Sequence, residues 1–271
     1  MAKYKKKRVR ELQQDRFRDT TMSVLDRLGN LLEGRGRSIV YGLLALLLVV
    51  IVAGFWVRWS HRKSDEARRA MGRAISIATA PVASSTPAEN PVGPTFSNER
   101  ERAQRAIEEF EKVAAKYGDP YRAEARYFIA TNLLYVDHNK GLSQLAELSK
   151  SSVPEVATLS KFALAQAKEA DGNYDEAAAL YSQIAGQNSV VVTPDTANLR
   201  LALVYQKQGK KKEAADLLFN IVDAGRKAKS ADGTPLPPSA AARAASEELQ
   251  KLDPDRYAQL PPQAPAGDLA F

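Results

Sequence analysis

A run of nineteen uncharged residues, Ile39 to Val57, constrains this 271-residue chain more than any other feature of it. A helix of that length rises about 29 Å, roughly the thickness of a bilayer's hydrocarbon core. Thirteen of the nineteen are Leu, Ile, Val or Phe. Each favours insertion by roughly 0.3–0.6 kcal/mol, so the run is stabilised in lipid by about 4–8 kcal/mol without help from other helices. Tyr41 lies near one end and Trp56 and Trp59 at the other, where aromatic belts form. The expectation is one transmembrane helix over residues 38–59. It is read as an uncleaved anchor, because Arg58-Trp59-Ser60-His61-Arg62 offers a signal peptidase no pair of small residues.

Charge sets the expected orientation. Residues 1–37 carry eleven Lys/Arg against five Asp/Glu, whereas residues 58–271 carry 28 against 27. The positive-inside rule therefore keeps the head in the cytoplasm and sends the nearly neutral body across. Arg58, Arg62, Lys63, Arg68, Arg69 and Arg73 follow the run closely and pull the other way. Long domains, however, translocate largely regardless of charge. Within the head, Phe17, Val24, Leu28 and Leu31, with Leu25 and Leu32 beside them, form one helical stripe. This predicts an amphipathic helix over about residues 12–33, either lying on an anionic inner leaflet or serving as a topology determinant. The chain has no cysteine, which excludes disulfides, cysteine-based metal sites and thiol nucleophiles.

The body repeats itself. KFALAQAKEADGNYDEAAALYSQI, from Lys161, aligns with NLRLALVYQKQGKKKEAADLLFNI, from Asn198, at a period of 37 residues. Leu164-Ala165 matches Leu201-Ala202, Gly172 matches Gly209, Glu176-Ala177 matches Glu213-Ala214, Tyr181 matches Leu218 and Ile184 matches Ile221. Small Ala165 and Ala202 let two helices approach closely, and the glycines end the first helix of each pair in a left-handed conformation. The period is the tetratricopeptide length of 34 plus three, with room for the extra residues at Val190-Val191-Val192-Thr193-Pro194. A fainter copy, ARYFIATNLLYVDHNKGLSQLAEL, starts at Ala125, with a turn at Asp137-His138-Asn139. Before it, AQRAIEEFEKVAAKYGDP carries a second-helix pattern in Ala106, Phe110 and Val113. Its first-helix partner is placed at residues 65–80.

Two loops interrupt this series. Pro81, Pro87, Pro91 and Pro94 fall among Ser, Thr and Ala in residues 81–98, a composition that forms no packed element and reads as a mobile insertion. Residues 227–238 form the second loop, ahead of a final helix over about 239–252 whose Leu249 and Leu252 close the last apolar face. The predicted fold class is all-α: one transmembrane helix, then a tetratricopeptide-like solenoid of about four helix pairs over residues 60–252, a capping helix at its end, and a disordered tail over residues 253–271.

Reaction chemistry is sparse. The two histidines, His61 and His138, stand alone, with no i, i+4 partner for a helical metal site. Gly34-Arg35-Gly36 precedes the apolar run instead of following a strand, so it is no phosphate loop. Glu108-Glu109 and Asp175-Glu176 read as solvated faces. Lys210-Lys211-Lys212 sits where cations favour a helix C-terminus, and the body's near-neutral balance argues against nucleic acid as a partner. No enzymatic activity, cofactor or metal is expected. Protein binding is the remaining class. In a tetratricopeptide array the first helix of each pair lines the concave face, which would present Tyr127, Thr131 and Leu134, then Phe162, Gln166 and Glu169, then Leu199, Leu203 and Gln206. Such a row, apolar and aromatic with few charges, suits extended or amphipathic polypeptide segments. Any one of these residues equally suits the core between repeats.

The order of parts, with AQRAIEEFEKVAAKYGD, ARYFIATNLL and GNYDEAAALY after the span, resembles the ancillary SecYEG translocon subunit (YfgM-type) proteins of bacterial inner membranes. The likeness covers roughly residues 38–225. The basic head is longer than in that family, and the Pro-rich insertion is additional. The resemblance implies a cytoplasmic N-terminus, a periplasmic repeat domain, and association with the translocon or a periplasmic chaperone and its client polypeptides. An assembly scaffold for another envelope complex, for division or cytochrome maturation, is the alternative.

Overall fold

In the computed structural model, residues 36–82 and 94–262 are described. The basic head with its expected amphipathic helix, the centre of the Pro-rich loop and the last nine residues of the expected tail lie outside them. The chain divides into two units, Met1–Asp65 and Glu66–Phe271.

The helix α1 (Gly36–Ala78) takes in the apolar run, which lies in the first unit, and its residues from Glu66 on belong to the second. Side chains are described for residues 46–52 of that run, and all seven are apolar yet 57–63% exposed. Among the described residues, no helix is long and apolar enough to cross a membrane. The described side chains cover only part of the nineteen, so the span stays a reading of the sequence.

The second unit is all-α, built of helices in sequential antiparallel pairs. The C-terminal part of α1 pairs with α2 (Glu99–Lys116), α3 (Tyr121–Val136) with α4 (His138–Leu148), α5 (Pro154–Ala170) with α6 (Tyr174–Ala185), and α7 (Pro194–Lys207) with α8 (Lys211–Lys227). A ninth helix, α9 (Ala240–Leu252), packs on α8 and α7.

Each core joins one pair to the first helix of the next. Met71 and Ala74 of α1 meet Ala106, Phe110 and Val113 of α2, then Ala125, Ile129 and Leu133 of α3. Ala123 and Ala130 of α3 share a core with Leu145 and Leu148 of α4 and with Val156 and Leu164 of α5. Ala165, Ala177 and Tyr181 of the third pair pack on Leu201 and Val204 of α7. Ala202, Leu218, Ile221 and Val222 of the fourth pair pack on Ala242, Ala245 and Leu249 of α9. A stack follows from this scheme, because no pair buries its apolar face alone.

Gly172 and Gly209 turn as the sequence predicts, and further local signals set the helix ends. Gly172 and Gly209 have φ of 78° and 75°, the left-handed region where a Cβ is penalised. In both turns a backbone N–H reaches five residues back: Asn173 N to Lys168 O at 2.8 Å, and Lys210 N to Tyr205 O at 2.9 Å. This satisfies carbonyls that a helix end leaves open. Pro154 and Pro194 open α5 and α7, where the missing N–H has no helical partner to lose. Asn98, Asp137, Thr193 and Ser239 cap α2, α4, α7 and α9 through their side-chain oxygens.

Three segments differ from expectation. His138, expected in a turn, is the first residue of α4, because Asp137 accepts from Lys140 N at 3.1 Å and starts the helix one residue earlier. The ends of the Pro-rich loop are tied rather than free: Phe96 N donates to Pro81 O at 3.3 Å, and Arg102 reaches Ala80 O at 3.4 Å. The tail, expected to be disordered from Asp253, starts with a short helix α10 (Pro254–Tyr257) and stays docked to Leu260, which is 7% exposed in the last core. Arg226 holds it by donating to Pro261 O at 2.5 Å and to the Tyr257 hydroxyl at 3.2 Å. Arg256 pairs with Asp216 of α8.

Candidate functional site

The nine residues expected on the first-helix row all lie on α3, α5 and α7, but in different surroundings. Tyr127 and Leu134 are half-buried against the core of the second and third pairs. The Tyr127 ring meets Phe128 edge-on at 5.3 Å, and burial pushes its hydroxyl pKa up. Thr131 turns its hydroxyl inward, donating to Phe128 O at 3.0 Å. Phe162 packs edge-on against Tyr181 at 5.6 Å and covers Ile184, Val192 and Ala197. Leu199 covers the core under α8 and α9.

Gln166 is exposed and Leu203 half-buried. Gln206 is half-buried, and its Nε2 is enclosed without an acceptor. The row is therefore accessible to solvent chiefly at Gln166 and Leu203, flanked by the accessible parts of Phe162 and Leu199.

Glu169 behaves differently. It is 6% exposed, and its carboxylate takes three donors. Arg200 approaches Oε2 at 2.6 Å, Lys207 approaches Oε1 at 2.8 Å, and the Tyr181 hydroxyl donates to Oε2 at 3.0 Å. Burial alone would raise the Glu169 pKa; Lys207, Arg200 and the Tyr181 hydroxyl together outweigh it and hold the carboxyl below its ordinary value. Burial pushes the Tyr181 hydroxyl up to about 12, so the tyrosine stays a donor. Three donors from α6 and α7 converge on this carboxylate, which pins α5 and α6 to α7. Lys207 also lies over the Tyr174 ring at 5.8 Å, and Arg200 over the Tyr181 ring at 5.9 Å.

Sequence reasoning left Glu169 without a partner. The one available signal was Arg200 and Lys207, seven residues apart and therefore on one face of α7. Nothing local ties that face to a residue 31 or 38 positions earlier.

Around this pin the surface is open and polar. A cavity of about 500 Å³ is bounded by the turn from Gly172 to Glu176 and by Gln208 and Lys210 of the next turn, and Gln208 donates to Asp175 at 2.8 Å across it. A second cavity, of about 310 Å³, lies between Arg226, Arg243, Gln250 and Tyr257 at the end of the stack. Among the described residues, no group of three or more His, Cys, Asp or Glu is arranged to hold a metal ion. No family model, no curated protein and no solved structure matches this chain.

Proposed function

We propose that this chain is a single-pass membrane protein whose helix pairs form a tetratricopeptide-like array for binding protein partners. The apolar run at residues 39–57 is its anchor, with the basic head in the cytoplasm and the array on the far side. The observation that carries the reading is the turn and the burial pattern that the third and fourth pairs share. Both turn at a left-handed glycine, Gly172 or Gly209, 37 residues apart, and both bury an alanine on each helix with one large residue, Tyr181 or Leu218. Stacked pairs of this kind offer polypeptide the concave face that their first helices line.

On the resemblance in the sequence, the partners are the translocon or a periplasmic chaperone and its clients. The chain acts as an ancillary subunit or holdase and not as an enzyme. The test is a photo-crosslinking residue at Gln166 in the full-length chain in its own membrane, with and without Leu203→Asp. Adducts to polypeptide that Leu203→Asp depletes support the reading, while adducts unchanged by it count against the row. Affinity isolation after mild solubilisation then separates the candidate partners, since translocon subunits co-purify only on the first assignment. Phe162 is a poor probe, because charge there also breaks its packing on Tyr181.

A further inference from the structure

We infer that His138 and Asp171 form a proton-dependent latch between the second and third helix pairs. His138 opens α4, and Asp171 follows the last residue of α5. Nε2 of the ring lies 2.9 Å from Asp171 Oδ2, and Nδ1 lies 3.4 Å from the Leu134 carbonyl oxygen. Both ring nitrogens thus face oxygen acceptors. A neutral imidazole has one N–H and leaves one nitrogen lone pair against an oxygen; the imidazolium donates at both.

Location gives the contact its consequence. An apolar core runs through the same junction: Leu145 and Leu148 against Val156, Ala163 and Leu164. Among the described residues, His138–Asp171 is the one ion pair that crosses from the second pair to the third. Arg126–Glu147 stays within the second pair and Lys168–Glu176 within the third. The next junction is held instead by Glu169 with Arg200 and Lys207.

The groups around the ring are few. α3 presents the Leu134 carbonyl, and Asp137 is engaged at the Lys140 N–H. On α4 itself the next charged residue in sequence is Lys140. The turn after α5 presents Asp171, while Lys168 is drawn away to Glu176 at 2.8 Å. Asp171 raises the imidazole pKa above 6.5 against the opposing effect of desolvation. A raised folded value gives a sign: the latch is complete below the unfolded value of 6.5 and is lost as pH rises through the folded one.

Hydrogen exchange on the full-length protein in detergent tests this, after correction for the intrinsic pH dependence of exchange. An exposed pair of this kind predicts about a two- to fivefold fall in protection between about pH 5.5 and about pH 8, in peptides covering residues 134–142 and 168–174. Peptides from α8 and α9 do not change. His138→Gln and Asp171→Asn each remove the difference. A response that persists in both variants, or none in the wild-type chain, overturns the latch. Ring resonances give a second readout, since the chain has two histidines and His61→Gln assigns them. The His138 midpoint falls in Asp171→Asn if the latch exists, and an unchanged midpoint refutes it.

Discussion

Replacing Glu169 by alanine tests whether the third and fourth pairs are pinned by charge. Removing one partner of a buried ion pair costs about 3–5 kcal/mol when the other charge is stranded. Here the stranded cations are not sealed in: the Arg200 and Lys207 side chains are 32% and 47% exposed. They turn into water, which brings the electrostatic part down to about 2 kcal/mol. The Tyr181 hydroxyl belongs to a residue with no exposed surface and loses its acceptor, adding about 1 kcal/mol. The expected total is about 3 kcal/mol, or roughly 6–12 °C in Tm for a domain of this size.

Lys207→Met and Arg200→Met leave the carboxylate one cation each, so each costs about 1 kcal/mol. Thermal unfolding of the full-length chain followed by circular dichroism at neutral pH reads all three. A Glu169→Ala midpoint within about 2 °C of wild type, or a larger loss from Lys207→Met than from Glu169→Ala, refutes the pin. The depressed Glu169 pKa also fixes a pH window. Its stabilisation is present above the ordinary carboxyl value of 4.5 and is lost as pH falls through the lower folded value. Glu169→Ala therefore narrows its gap to wild type as the solution turns acid.

Gly141→Ala in α4 gains about 1 kcal/mol of helix propensity, yet its Cβ falls 2.8 Å from Leu134 N and 3.1 Å from Ala130 O. That is backbone, which does not yield, and a net loss of about 1–3 kcal/mol is expected in denaturant unfolding. Gly172→Ala and Gly209→Ala meet nothing within 4 Å, so each costs only the left-handed penalty of about 1–2 kcal/mol. The double variant is near-additive by the same assay, and asparagine recovers part of the loss at either site. Leu260→Ala, or truncation after Leu252, loosens the tail and costs about 2–5 kcal/mol, read as a lower midpoint and faster exchange in α9.

What was legible in the sequence follows from how locally each feature is determined. Gly172 and Gly209 stood out because a positive φ restricts residue type at a single position, and Ala165, Ala177, Ala202 and Ala214 because a close helix crossing admits little else. The helix start at Pro194 is equally local. The docking of residues 253–262 was hidden, because its contacts run from Leu260, Tyr257 and Pro261 to α8 and α9 across a Pro-rich, weakly apolar stretch. The Glu169 pin was hidden for the same reason, its partners lying 31 and 38 residues away. Helical periodicity placed Tyr127, Leu134, Phe162 and Leu199 on one row of helices. It carries no information on how much of each is covered by the next helix, which is why Gln166 and Leu203 emerge as the better probes.

The anchor is the part of the account on which compartment, orientation and partner all depend. Intact spheroplasts carrying the full-length chain, treated with protease from outside and then washed in alkaline carbonate, test it in one experiment. The account predicts that the helix pairs are digested and that a small fragment, head plus residues 39–57, stays in the membrane pellet. A full-length chain released to the supernatant would contradict the span, and a full-length chain protected in the pellet would contradict the orientation.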